Sequence, residues 1–402
     1  MDILYRTSKL KVAVAELTSY SHDMKRQVIT WIVIILASLA LGLFVDARAS
    51  ATLGKPQLGI SSVDIPRSHV QSSNGERGAA ITALNDGRYL LGGGKNGFAL
   101  YLFDPANGSE KILGKVENYT QRFNDSRFAI TDIGILTQSA NRVDAVVSYP
   151  RYDRTRDCVN VVLGAYQIDL GAKPSVKRTA TWFTSKPCVP VSAVQHAAGR
   201  IEVIDKTSVY MTVGDLGFTK IDQVKARQDL GSVFKISKSK VEKISQGHRN
   251  QQGILLIGKD LYTSEHGPRG GDELNLITRV QDYGWPAVSY GQPYSSGDYV
   301  KPGATGSHEG FTKPHTYWVP SVAPTELVQL PSTWGQWSSQ IVMGTLREES
   351  LMFIQLTNRT TVGEISTVNV GERIRDLEIS KDGQIIATTD SGKLLTISSA
   401  QR

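Results

Sequence analysis

From about Thr52 onward the chain is a succession of short apolar runs, each closed by Gly, Asp or Asn, and this punctuation limits what it can fold into. Asp86-Gly87 precedes Arg88-Tyr-Leu-Leu-Gly-Gly93, Phe98–Phe103 follows, and Asn107-Gly108 turns into Lys111-Ile-Leu113. The pattern returns at Val143–Tyr149, Ile201–Ile204, Val209–Val213, Gln384–Thr389 and Lys393–Ser398. Asp-Gly and Asn-Gly supply the positive-φ pair of tight hairpin turns, and runs of about 5–7 residues between such turns are strands of antiparallel meanders. No exported segment carries a long apolar stripe of period 3.6, so the class is all-β with few helices. Roughly 350 residues of meander can form a sandwich pair, a barrel or a propeller. No tidy repeat chooses among them.

The N-terminal part reads differently. Gln27–Val45 is uncharged for nineteen residues, just enough helix to span a hydrocarbon core of about 30 Å. Lys25 and Arg26 stand before it, whereas Asp46 and Arg48 cancel after it. The positive-inside bias then makes 1–26 a cytoplasmic leader, 27–45 a single transmembrane helix, 46–60 a linker and 61–402 an exported domain. The expected location is a bacterial inner membrane with the domain in the periplasm. Ala47-Arg-Ala49 and Ala49-Ser-Ala51 also suit signal cleavage, which would give a periplasmic or secreted protein. Cys158 and Cys188 are the only cysteines. In an oxidising compartment they most simply form one disulfide, and their spacing fits no CxxC or CxxH metal site. The formal charge of +7 comes without any run of five basic residues, so no nucleic-acid partner is indicated.

Residues 246–294 hold a second kind of information. Gln246-Gly-His-Arg-Asn250, Ser264-Glu-His-Gly-Pro268, Gly271-Asp-Glu-Leu-Asn275 and Tyr283-Gly-Trp-Pro286 set charged and amide groups among glycines and prolines. Such residues make poor helix or strand but good fixed loops that aim polar groups at a ligand. Together with Trp318-x-Pro-Ser-x-Ala-Pro324, these motifs resemble the quinoprotein sugar dehydrogenases, the aldose and glucose dehydrogenase family that uses pyrroloquinoline quinone (PQQ) and calcium. The resemblance covers about residues 190–395 and implies a six-bladed β-propeller with its cofactor on one face, near the central channel. It also implies hydride transfer from C1 of an aldose to the quinone, giving the lactone, with electrons leaving to an exported quinone or cytochrome.

Residue roles follow by position. His196 lies in His-x-x-Gly-Arg200 and Asp215 in Thr212-x-Gly-Asp215, separated by two alternating runs that read as one hairpin. A His before one strand and an Asp after the next can meet on one face, as a base and its orienting carboxylate. The resemblance makes His196 the general base and Asp215 its support. It assigns Arg249 and Asn250 to the quinone, suiting the planar, permanently charged Arg fork to an oxygen that gains charge. Backbone carbonyls of Gly267 and Pro268 are implied ligands of the cofactor calcium, with His266 replacing the glutamine common before them. Glu273 and the carbonyl of Tyr283 are implied ligands of a second, structural calcium, with Asp272 beside them. Arg373 and Arg375 alternate along a strand, so both point to one face and need an anion between them. The resemblance offers cofactor carboxylates for that place, and sets Arg347 of Thr345-Leu-Arg347 as a further cofactor contact.

The first blades depart from the family. Where a Gln and a Gly-Gly-Leu-Leu element are usual, this chain reads Asn124-Asp-Ser-Arg-Phe-Ala-Ile-Thr-Asp132. Three readings therefore compete: a PQQ- and calcium-dependent sugar dehydrogenase, a propeller that binds sugar or protein without turnover, and a calcium-dependent propeller lactonase. The joint presence of His196, Asp215, Arg249, Gly267-Pro268 and Arg373/Arg375 favours the first.

Overall fold

The computed structural model describes residues 54–73, 75–116, 125–191, 196–295, 300–358 and 361–400, and the segment 27–45 lies outside them. Among the described residues no helix is long and apolar enough to cross a membrane. Gly54–Arg402 forms one compact unit, and its described residues build six blades of four antiparallel strands, with a short fifth strand added to blade 2 (Val189–Pro190) and, in parallel, to blade 3 (Gln281–Asp282).

Blade 1 comprises Ala80–Ala83, Tyr89–Gly93, Ala99–Asp104 and Ser109–Lys115, and blade 2 Asp132–Ser139, Arg142–Asp153, Cys158–Asp169 and Ser175–Thr184. Blade 3 runs Ala198–Asp205, Ser208–Val213, Ser232–Ser237 and Val241–Gln246. Blade 4 runs Gln251–Ile257, Asp260–Glu265, Asp272–Ile277 and Thr316–Trp318. Blade 5 holds Pro324–Gln329, Ile341–Thr345, Ser350–Asn358 and Thr361–Asn369. Blade 6 takes Ile374–Ile379, Ile385–Thr389 and Lys393–Ser399 from the C-terminal end, and Leu58–Asp64 as its outermost strand. That strand pairs in continuous register from Leu58 opposite Ser399 to Asp64 opposite Lys393, so the ring is closed by backbone hydrogen bonds. Leu58–Ile60, inside the stretch read as linker, already belong to it.

The first strand of each blade packs beside the first strand of the next, and blade 6 returns to blade 1. Burial explains the sequence pattern. Inner and middle strands are covered on both faces, so Ala99–Asp104 is buried almost throughout, while the outer Ser175–Thr184 strand alternates. Apolar side chains fill the space between blades. Leu100, Val146 and Met211 share one cluster across blades 1 to 3, and Leu274, Leu327 and Ile341 share another across blades 4 and 5. Cys158 and Cys188 form the disulfide, tying blade 2 to the short Val189–Pro190 strand beside it.

A channel of about 600 Å³ runs between the six first strands. Arg200 (1% exposed) is buried against two of the lining acids, donating to Asp376 at 2.7 Å and to the Arg375 carbonyl at 2.9 Å, with Glu326 at 3.3 Å.

Candidate active site

The hairpin of blade 3 positions the first pair. His196 precedes its first strand and Asp215 follows its second. Gly214 lets the two ends touch, because a Cβ there would lie 2.0 Å from the His196 carbonyl oxygen. The result is a His196 Nδ1 to Asp215 Oδ1 contact of 2.7 Å. Asp215 is fully buried and saturated: Oδ1 also accepts from the Gly217 N–H at 2.7 Å, and Oδ2 accepts from Trp285 Nε1 at 2.8 Å. Burial pushes its carboxyl up, but His196, Arg249 and the Gly217 N–H outweigh that and hold it below the usual value. Burial and the Arg249 charge pull His196 below its ordinary value, against Asp215. Both therefore favour the neutral ring over the imidazolium. Nδ1 donates to Asp215, and the Nε2 lone pair faces Arg249 Nη2 at 3.2 Å.

Arg249 comes from the turn between blades 3 and 4. Its Nη1 donates to the carbonyls of Gly267 at 2.6 Å and His266 at 3.1 Å, and its guanidinium lies 5.4 Å from the Trp285 ring centre. The buried Nε has no partner. His248 of the same motif is a buttress: its Nδ1 meets Glu265 at 2.7 Å, its Nε2 meets Ser245 at 2.9 Å, and it stacks on Tyr283 at 4.5 Å. Glu265 in turn accepts from the Arg249 backbone N–H. Gln252 donates to Asn250 Oδ1 at 2.8 Å, which leaves the Asn250 amide nitrogen as the group offered to a ligand.

These residues open onto a cavity of about 330 Å³, lined by His196, Arg249, Asn250, His266, Tyr294 and Arg375. Its size falls in the range of small-molecule sites. His266 Nε2 donates to the Pro324 carbonyl, 2.7 Å away, and burial holds the ring's pKa down at about 4. A neutral imidazole can only donate there. The divergent first-blade segment reaches the same cavity through Ser126, Arg127 and Thr131, and the hairpin before blade 1 adds Glu76 and Arg77. Arg127 is held by Asp125 through Nε at 2.8 Å and Nη2 at 2.7 Å.

Other sequence expectations fall differently. Arg373 and Arg375 do share an anion, but it is the chain's own Asp390: Arg373 Nε lies 3.1 Å from Oδ2, and Arg375 Nε and Nη2 lie 2.8 and 2.9 Å from Oδ1 and Oδ2. Burial raises Asp390, but Arg375, the Gly78 N–H and Arg373 overcome it and hold the carboxyl at about 2. Only Arg375 of the two lines the cavity, and the exposed Arg347 does not. Asp272 is a buried brace: it accepts from Gly267 N at 3.0 Å and from Val322 N and Ala323 N at 2.8 Å each. Glu273 is buried against His308 at 2.8 Å and Asn275 at 3.2 Å, while Asn275 Oδ1 has no partner. Tyr283 is buried close by, its hydroxyl donating to the Leu276 carbonyl.

Trp285 and Arg77 were not expected here. Trp285 lies in Tyr283-Gly-Trp-Pro286, where the resemblance implies a role for the Tyr283 carbonyl alone. Arg77 sits in a polar stretch with no pattern to mark it.

The fold is thus a six-bladed propeller that carries a carboxylate-held imidazole at the edge of a cavity lined by Arg77, Arg127, Arg249 and Arg375. Residues 78–396 match the family described as Glucose / Sorbosone dehydrogenase, and the chain belongs to that family. The Aldose sugar dehydrogenase YliI of Escherichia coli K12 is 34% identical over 173 residues, 41% of this chain and 46% of that protein. The chain spans about half the length of the first curated relatives it matches. Among solved structures, a glucose dehydrogenase aligns with a TM-score of 0.72 at 19% identity, over 85% of this chain and 100% of that one. The PQQ-bound aldose sugar dehydrogenase of Streptomyces coelicolor aligns over the same shares with a TM-score of 0.61 at 19% identity. At such identities these two matches speak for the fold alone.

Proposed function

We propose that the protein oxidises an aldose at C1 to the lactone, with PQQ as oxidant and calcium as its companion ion. The observation that carries this reading is the placement of His196, fixed by Asp215 and facing a basic cavity beside Arg249.

The residues fit a planar, polyanionic cofactor. Arg249, Asn250 and Arg375 would hold it, and the partnerless Arg249 Nε is a donor that an acceptor oxygen would satisfy. When bound, the quinone supplies an acceptor for the hydride that leaves C1. His196 Nε2 takes the O1 proton as the C1–O1 double bond forms, and Asp215 stabilises the imidazolium through Nδ1–H. Trp285 keeps Asp215 in place, and Arg249 offers positive charge to oxygen that becomes more negative.

Calcium would take the backbone carbonyls of the Gly267-Pro268 loop, of which the Gly267 carbonyl accepts from Arg249 Nη1 in this structure. A Cβ on Gly267 would lie 2.3 and 2.4 Å from the Gly271 and Gly270 carbonyl oxygens, so this is a knot of backbone oxygens, the ligands a hard cation prefers. Glu273 and the Tyr283 carbonyl would hold the structural calcium, where the partnerless Asn275 Oδ1 lies nearby in sequence and strand. The Cys158–Cys188 disulfide supports an oxidising location, and we place the domain in the periplasm behind the 27–45 anchor. An exported quinone or cytochrome is the electron acceptor this chemistry needs.

A second reading, binding without turnover, is favoured by Arg127 and Asp125 standing where the family's Gln element is expected. Adding PQQ and Ca²⁺ to the purified chain, followed by an aldose, separates the two. A bound-quinone spectrum that bleaches supports the dehydrogenase, binding without bleaching supports the second reading, and no binding contradicts both a quinone and the proposed role. Chelation should abolish the bleaching, and Ca²⁺ should restore it better than Mg²⁺.

A further inference from the structure

We propose that Arg77 is the cavity's receptor for an oxyanion, a carboxylate or phosphate carried by the molecule that enters. Arg77 ends the small hairpin Val70–Ser72/Gly75–Arg77 and stands one residue before the family match begins. It lines the same cavity as His196 and Arg249.

The other cations there are already engaged. Arg375 grips both oxygens of Asp390, Arg127 grips both oxygens of Asp125, and Arg249 is bonded to two carbonyls. Among the described residues, the Arg77 guanidinium has no ion pair and no hydrogen bond, and its Nε is buried without a partner. The carboxylates nearest to it are committed elsewhere. Asp390 serves Arg373, Arg375 and Gly78 N, while Asp376 serves Arg200 and the N–H groups of Ile81 and Leu377. The adjacent Glu76 is 53% exposed and reaches to 3.9 Å from His69. Burial, then Arg375 and Arg200, bring Arg77 down to about 9 against the pull of Asp390 and Asp376, so it stays charged at neutral pH. Arg77 is half-buried with its Nε unsatisfied and like charges nearby, a position that an arriving oxyanion relieves, and the Arg fork suits a carboxylate bidentately.

The anion has two possible sources, and naming them rests on the proposed function: a carboxylate of the quinone, or the acid group of a sugar acid. Calorimetric titration of the full chain with PQQ plus Ca²⁺, with glucuronate and with glucose distinguishes them. R77Q should lose roughly 10–100-fold in affinity for at least one anion, the size expected of a charge-assisted contact, with glucose binding unchanged. R77K should lie between, and it replaces R77Q if that variant does not fold. Loss for the quinone alone makes the source the cofactor, and loss for glucuronate alone makes it the substrate. A wild-type chain that binds glucuronate through Arg77 but does not bind the quinone overturns the proposed function and leaves this inference standing. Anion affinities equal in wild type and variant, an equal loss for glucose, or no anion binding by the wild type overturn the inference itself.

Discussion

His196 can act as a base only while Nε2 keeps its lone pair, and its neighbours secure that by charge and tautomer together. The acid limb of kcat/KM should therefore fall below the ordinary imidazole pKa of about 6.5, with the rate flat above neutrality. Arg249→Met removes a positive charge that depresses the ring, so NMR titration of the His196 ring should move upward, a readout independent of turnover. A downward or absent shift would show that Arg249 does not set the ring's charge state. Asp215→Asn keeps the shape but no longer favours the Nδ1–H tautomer, and should lower kcat by about 10²–10⁴-fold. The His–Asp pair was legible because two alternating runs between them read as a hairpin. Trp285 was not, since nothing in a sequence shows that an indole 70 positions away completes the carboxylate's hydrogen bonds.

Between blades the inner strands lean on carboxylates. Asp132 of blade 2 accepts from Ile201 N of blade 3, Glu326 of blade 5 from Ile254 N of blade 4, and Asp376 and Glu378 of blade 6 from Ile81 N and Ala83 N of blade 1. Each first strand has an edge facing the channel, and these acids satisfy amides there that no neighbouring strand pairs. Arg200 is the cation set among them. Arg200→Met strips that partner from buried acids and should cost about 3–5 kcal/mol, read as a lower Tm. Burial pushes Asp132 and Glu378 up to about 7 and Glu202 to about 8. A carboxyl whose folded pKa is raised stabilises the protein fully below its unfolded pKa of about 4 and loses that contribution as pH rises through the folded pKa. Calorimetry should thus find a higher Tm near pH 6 than near pH 9, and the reverse order would contradict the role given to these groups. The strands themselves were legible from turn pairs and run lengths. The staples were not, because an acid inside an apolar run looks like an outward-facing residue until the closed ring turns that face inward.

At the scale of the molecule, ring closure is what brings the site together. Arg77 at the start of blade 1 and Arg375 in blade 6 line one cavity because blade 6 packs back against blade 1. Periodicity left sandwich, barrel and propeller open, since blade lengths vary from the long strands of blade 2 to the three-residue outer strand of blade 4. The motifs of residues 190–395 carried the architecture instead. Their side-chain partners were less visible: the anion between Arg373 and Arg375 is Asp390, contributed by the next strand's end. The central claim is that His196 removes a proton while a bound quinone takes the hydride. Stopped-flow bleaching of quinone-loaded protein by an aldose, wild type against His196→Ala at equal quinone occupancy, tests it most directly. The account predicts a rate lower by about 10²–10⁴-fold with quinone affinity little changed. Equal bleaching rates, or a deficit that saturating quinone fully restores, would contradict it.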